Sequence, residues 1–359
     1  MPRLNLQENI LLAPFTTLQV GGPARYFVEA RSESQVTDAL GFAADRRLPL
    51  FVLGGGSNLV VADEGWPGLV LKVALPGIEF EGEGGNTVFY AGAGEGWDAF
   101  VAQAVSRNCA GIECLSGIPG TVGGTPVQNV GAYGQEVSQT ITCVRVLELP
   151  GGKISVLRNS DCGFAYRRSI FNTTHRDKYI VLEVGYRLKR NGPPALEYAD
   201  LRNFFARGPH SPTLQQVREA VRQIRQSKAM LIVPGDEDCR SAGSFFKNPL
   251  VSEDEAGRIE ALARQRVPDK PLPRFPAPQE EDGKVKLSAA WLVEQSGFHK
   301  GFALGPVGIS RKHALAIVNR GGAAARDILA LKDAIQKKVF DLWGVTLHPE
   351  PVFVGFPAG

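Results

Sequence analysis

The absences in this sequence narrow it before any motif does. Its cysteines, at 109, 114, 143, 162 and 239, are odd in number and form no C-x-x-C pair, which fits reduced thiols better than a disulfide framework or a zinc site. The five histidines are scattered, with no H-E-x-x-H and no i, i+4 pair, so no metal is expected. Net charge is +3 with no basic block, so a nucleic-acid partner is not implied. No apolar run reaches the roughly 18 residues that span a bilayer, and the opening MPRLNLQENILLAPF lacks the continuous apolar core of a secretory signal. The expectation is a cytoplasmic protein with no membrane or nucleic-acid partner.

The common nucleotide fingerprints are missing too. LGGGSNLVV (53–61) has Leu59 where a G-x-G-x-x-G would need its third glycine, and GAGEGW fails likewise at Trp97. No G-x-x-x-x-G-K-[ST] occurs. A nucleotide, if one binds, is held by another type of fold.

What is present reads as α+β with at least two lobes. A chain of 359 residues exceeds one comfortable core, and 43% apolar with 21% charged residues is ordinary for a globular protein. Ser32 with Gln35 predicts a capping box, Val36, Leu40 and Ala43 a helix face, and LPLFVL (48–53) a buried strand. GLVLKV (68–73) reads as a strand, the Gly-rich stretch after it as hairpin turns, and WDAFVAQAVSRN (97–108) as a helix. Strands follow at ITCVRVLEL and YIVLEVGYRL. A polar segment (190–213) leads to a helix capped by Ser211 with Pro212 in its first turn, and a domain boundary is expected near there. VPDKPLPRFPAP (267–278) predicts an exposed extended loop. A last helix ends at Gly344 and hands over to a strand in VTLHPEPVFVG.

Five stretches could carry chemistry. GGGSN (54–58) frees consecutive N–H groups to bind phosphate oxygens, although a tight turn explains three glycines about as well. GIPGTVGGTPVQNVGAYG (117–134) is too long for a turn; its glycines let main chain lie against a ring system while Thr125, Gln128 and Asn129 offer hydrogen bonds, and a structural omega loop is the weaker reading. Arg167 and Arg168 in FAYRRSIFN suit a carboxylate, although a structural ion pair is commoner. Glu350, between two prolines in LHPEPVFVG, is a solvated strand start or a carboxylate in a cleft. SAGSFFKNP (241–249) sets Ser244 on a Gly hinge, with two Phe behind it and Lys247 and Asn248 beyond, as in a half-dry pocket wall.

Taken in order, TTLQVGGPARYF, LGGGSNLVV, GIPGTVGGTPVQNVGAYG, YRRSIF, AGSFFKNP, WLVEQSGFHKG and PEPVFVG resemble the UDP-N-acetylenolpyruvoylglucosamine reductase family across nearly the whole chain. The resemblance implies a vanillyl-alcohol-oxidase-type FAD-binding fold in two subdomains (1–75 and 76–210), then an α/β substrate-binding domain (211–344), with the terminal strand (345–359) packing back near the site. It implies FAD as cofactor and NADPH as co-substrate, used to reduce the enolpyruvyl group of UDP-N-acetylglucosamine enolpyruvate by a monomeric enzyme of peptidoglycan precursor synthesis. It assigns the cofactor to Gly54, Gly55, Gly56, Ser57, Asn58, Pro119, Gly120, Gly123, Gly124, Thr125, Asn129, Gly131 and Ala132. Arg167 resembles the family's carboxylate-binding arginine, Ser244 its proton donor and Glu350 its catalytic glutamate. Tyr198, Lys228, Asn248 and Gln295 resemble its substrate contacts.

Two rivals stay open at this level. A flavin oxidase of the same superfamily would react fast with oxygen and need no nucleotide sugar. A flavin-free binder of nucleotide sugars would have no use for a proton donor.

Overall fold

Ser32 Oγ accepts the N–H of Gln35 and so starts helix Glu33–Asp45 in the computed structural model, which describes residues 4–206, 211–277 and 283–357. The expected capping box is only half made. The Gln35 side chain reaches the N–H of Arg31 (2.7 Å), one residue before the cap. The described chain forms two compact units, Met1–Ile10 with Ala24–Gly56 and Trp66–Leu231, and Leu11–Pro23 with Ser57–Gly65 and Ile232–Gly359.

In the first unit, strands Gln7–Leu11, Pro23–Ala30, Trp66–Val73 and Leu50–Leu53 lie side by side in that order, the last three parallel. Trp66–Val73 is central and its Leu69, Val70 and Leu71 are wholly buried, as an apolar run covered on both faces requires. A second, antiparallel sheet orders Ile154–Arg158, Ile141–Glu148, Tyr179–Arg190, Asn86–Gly92 and Ile78–Glu83. Helix Trp97–Ser106 packs Phe100 edge-on to Phe89 and against Tyr186, as its apolar spacing predicts.

Helix Leu214–Ser227 also belongs to the first unit. Its cap is Thr213 and not the expected Ser211. Thr213 Oγ1 accepts from Gln216 N and Gln216 Oε1 from Thr213 N, a reciprocal box that Ser211 cannot make because the residue three positions on is Leu214, which has no acceptor. Residues 207–210 of the polar segment before it lie outside the described residues.

The second unit carries small antiparallel sheets, a parallel pair of Leu59–Val61 with Val352–Val354, and a core around helix Ala325–Trp343. Ile328, Leu331, Ile335, Val339 and Trp343 form that helix's buried stripe, each burial worth about 1.5–3 kcal/mol. Ala324 has no side chain that can cap it, and Asp63 does so from far along the chain, accepting the N–H groups of Ala325 (2.6 Å) and Arg326 (3.2 Å). Two expectations need correcting here. The proline-rich segment is not loop throughout, because Arg274–Pro276 pairs as an edge strand with Lys284–Leu287, an edge being where a proline's missing N–H is tolerated; Pro278 lies outside the described residues. The terminal strand is confined to Val352–Val354, after Pro349 and Pro351; residues 358–359 are likewise outside the description.

Candidate active site

Two glycine-rich segments meet in the first unit. A Cβ on Gly55 would lie 2.5 Å from Gly120 Cα, so the main chains touch only because that position is bare. Trp97 N donates to Gly120 O (3.1 Å) and Val122 N to Glu95 O (2.9 Å), fixing the second loop to the start of a helix. Thr121 Oγ1 is buried with no hydrogen-bond partner, 3.2 Å from where Gly54 would carry a Cβ. Bare main chain on two loops beside an unsatisfied hydroxyl is a cradle suited to diphosphate oxygens. Ser57 and Asn58 continue the first loop into the second unit.

The long loop is rigid for a reason its sequence conceals. Thr125 Oγ1 donates to Val122 O (2.8 Å) and meets the buried Tyr186 hydroxyl at 2.7 Å. Asn129 donates to Glu136 and to Ala165 O and accepts the N–H of Ser138 (3.1 Å). Both side chains hold the loop's own shape. Asp98 anchors the loop's start by accepting Gly117 N. Burial disfavours the Asp98 charge, yet bonds from Arg218, Gly117 and Arg222 outweigh it and keep its carboxyl below the usual range.

Arg167 sits on the same assembly. Ala165 and Arg168 exchange both main-chain hydrogen bonds (3.0 Å each), closing a two-residue turn over Tyr166 and Arg167. Arg167 has φ +56°, in the left-handed region that glycine or asparagine ordinarily fills and that costs another residue about 1–2 kcal/mol. Its guanidinium donates to Gly131 O (2.7 Å) and Asn129 O (3.5 Å) and lies over the Tyr166 ring. A Cβ on Gly131 would come within 2.7 Å of Glu136 Cγ, 3.0 Å of Gln135 O and 3.1 Å of that guanidinium, so a bare position lets all three close on the loop. Arg167 thus combines a left-handed backbone with a guanidinium held on two carbonyls of the long loop. Arg168, its neighbour, is exposed.

Ser244 and Glu350 belong to the second unit. Gly243 takes φ +72°, which explains the Gly hinge. Phe245 and Phe246 are buried in that unit's core and anchor the segment. Residues 245–247 pair antiparallel with 348–350: Glu350 N donates to Phe245 O and Lys247 N to His348 O (2.9 Å each). Asn58 Nδ2 donates to Glu350 O (3.3 Å), and Ser244 Oγ stands 2.9 Å from His313 Nε2.

The four expected substrate contacts divide evenly between the units. In the first, Tyr198 sets its ring edge-on to Tyr133, and Lys228 pairs with Asp200 at 2.6 Å. Burial opposes the charge on Lys228, but the Asp200 carboxylate prevails and holds its pKa above the ordinary lysine value. In the second, Asn248 Oδ1 accepts Ala289 N (2.9 Å), which leaves its NH₂ to offer, and half-buried Gln295 ends helix Ala289–Glu294. Sequence reasoning missed Tyr133, Arg225 and His313. Burial raises the Tyr133 pKa and lowers that of Arg225, which lies beside it. Only the GAYG motif hinted at Tyr133, and a lone histidine in SRKHAL gave no signal at all.

Comparison with known proteins finds relatives along nearly the whole chain. Residues 24–158 match the model of an FAD binding domain, and 234–354 that of the UDP-N-acetylenolpyruvoylglucosamine reductase C-terminal domain. The chain is 45% identical to the reductase of that name from Thermobifida fusca over 97% of its own length and 98% of the relative's. It is 43% identical to the one from Mycobacterium tuberculosis, over 98% and 96%. The crystal structure of UDP-N-acetylenolpyruvylglucosamine reductase from Thermus caldophilus superposes with a TM-score of 0.66 at 26% identity, covering 98% of this chain and 99% of that one.

Proposed function

The chain belongs to the UDP-N-acetylenolpyruvoylglucosamine reductase family, and we propose that Arg167, Ser244 and Glu350 carry its reaction. It is an FAD-dependent oxidoreductase that uses NADPH to reduce UDP-N-acetylglucosamine enolpyruvate to UDP-N-acetylmuramate, a step of peptidoglycan precursor synthesis and so of wall growth, cell shape and division. Its fold is the vanillyl-alcohol-oxidase type of FAD-binding domain followed by the family's C-terminal domain.

FAD fits the first unit's cradle. The main chain at Gly54, Gly55, Gly56 and Gly120 and the unpartnered Thr121 hydroxyl would hold its diphosphate, and the remainder of 117–132 its ring and ribityl side. Bound there, FAD supplies the hydride that the side chains lack, and NADPH renews it.

An enolpyruvyl ether is a carbon–carbon double bond conjugated to a carboxylate. Hydride addition at its terminal carbon drives negative charge onto the adjacent carbon and the carboxylate. Arg167 stabilises that charge through its planar fork, already held in place by two carbonyls before substrate arrives. Glu350, whose main chain pairs with Phe245 beside Ser244, acts at the same reacting group. Ser244 then delivers a proton to the adjacent carbon. Asn248, Gln295 and Lys228 take the uridine diphosphate part, and Tyr198 grips the substrate. The FAD-binding role falls to residues 1–210 and the substrate-binding role to 211–344. The observation that carries this reading is the strained Arg167 clamped onto the long glycine-rich loop.

The enzyme works as a monomer in the cytoplasm, without membrane or nucleic-acid partners. The cytoplasmic placing and the lack of a nucleic-acid partner rest on the cysteine spacing and balanced charge of the sequence; no described helix is long and apolar enough to cross a membrane. The test of function is direct. Purified protein should be yellow and consume NADPH faster when the enolpyruvyl nucleotide is added, yielding a product two mass units heavier than the substrate. Colourless protein that ignores FAD, or NADPH use indifferent to that nucleotide, would overturn it.

A further inference from the structure

The Ser244 hydroxyl carries one proton, and what faces it decides where that proton can go. Its oxygen lies 2.9 Å from His313 Nε2. In principle either atom donates. If the serine gave its proton to the imidazole, none would point at a substrate carbon.

The turn that carries His313 is built to hold a ring in place. Ser310, wholly buried, accepts the N–H groups of Lys312 (3.1 Å) and His313 (3.3 Å) on its hydroxyl. Ala316 N returns to His313 O (3.2 Å), and Phe245 N donates to Leu315 O (2.8 Å), tying this turn to the residue after Ser244. Lys312 is pinned by Asp236 at 2.6 Å. The two side chains therefore meet between segments joined at a second point.

We propose that His313 is a positioning residue for the proton donor: it carries its proton on Nε2 and donates it in a hydrogen bond to Ser244 Oγ. This rests on the proton-donor role given to Ser244 above. The arrangement leaves the serine O–H directed to substrate. When the proton leaves, a C–H bond forms at the carbanion, the O–H bond breaks and its electron pair stays on Oγ. The Nε2–H then faces a developing alkoxide, which is the charge a preorganised donor stabilises best. Solvent water restores the hydroxyl proton before the next turnover.

The test crosses His313→Leu and His313→Gln with Ser244→Cys and follows the flavin anaerobically in the holoenzyme. His313→Leu should leave reduction by NADPH unchanged and slow re-oxidation by the enolpyruvyl nucleotide about 100-fold, the loss typical of one missing oxyanion donor. His313→Gln, whose amide can also donate, should recover part of it. A cysteine thiolate forms near pH 8.5 without help, so in the Ser244→Cys enzyme the same His313→Leu change should cost roughly ten times less. Equal losses in both backgrounds, equal slowing of both half-reactions, or no loss at all would each overturn the proposal. A readout free of activity is the ring nitrogen spectrum of ¹⁵N-histidine protein, assigned by difference with His313→Gln. A protonated Nε2 is expected, and a bare Nε2 would overturn the assignment even in an active enzyme. Wild-type flavin that stays reduced with the nucleotide present would instead remove the parent reading, and this proposal with it.

Discussion

The main-chain N–H of Glu350 donates to the carbonyl of Phe245 at 2.9 Å, so a carboxylate near the end of the chain is registered one residue from Ser244. Asn58, just past the first glycine-rich loop, holds the carbonyl of the same Glu350. Three segments far apart in sequence are thereby fixed at one place in the second unit, and changes at any of them can be read chemically.

Arg167→Lys keeps the charge but loses the fork that its two carbonyl contacts orient. Re-oxidation of reduced flavin by the enolpyruvyl nucleotide should fall by about 100-fold or more, with reduction by NADPH little changed. Rapid-scan absorbance separates the two. Unchanged turnover would reduce this arginine to a structural part.

Gly55→Ala places a methyl group 2.5 Å from Gly120 Cα. Flavin content of the purified variant should drop sharply, and added FAD should no longer raise its melting temperature as it does for wild type. Gly257→Ala is the counterpart, in mid-helix with nothing within 4 Å, and should stabilise by about 0.5–1 kcal/mol in chemical denaturation. A flavin-replete Gly55→Ala protein would remove the loop contact from the account.

Asp63→Ala strips the N-terminus of helix Ala325–Trp343 of its distant cap. A loss of about 0.5–2 kcal/mol is expected from denaturant titration, with the flavin retained. No change would mean that water replaces the carboxylate at no cost.

Asp98 has a depressed folded-state pKa, so its pairing adds stability above the unfolded carboxylate value and loses it as pH falls through the folded one. Wild-type protein should therefore lose stability below about pH 4 more steeply than Asp98→Asn, which is weaker at neutral pH. Melting temperatures from pH 7 down to 3 test this, and parallel curves for the two proteins would contradict it.

How much of this was legible in sequence depended on how local each cause is. The helix at 97–106 and the strands at 66–73 and 179–190 follow from apolar spacing that the core then uses. The start of helix Leu214–Ser227 was misread because Ser211-Pro212 imitates a cap, while the true box is set by Thr213 with Gln216. Arg167 was found from its setting between aromatic and apolar residues, but its left-handed backbone was not, since nothing in YRRSIF marks a turn that asks for glycine. Thr125 and Asn129 looked like ligand donors because their commitment to Tyr186 and Ala165 spans distant sequence. His313 stayed invisible for the same reason: its partner is Ser244, and the spacing between them obeys no local period.

The most direct test of the central claim is anaerobic stopped-flow absorbance on Ser244→Ala beside wild type. Flavin is first bleached with NADPH and then mixed with the enolpyruvyl nucleotide. The variant should bleach at a near-normal rate and re-oxidise about two to four orders of magnitude more slowly than wild type. If both steps slow equally, Ser244 only holds the site together, and if neither slows, the proton comes from another group; either result would contradict the role given to it.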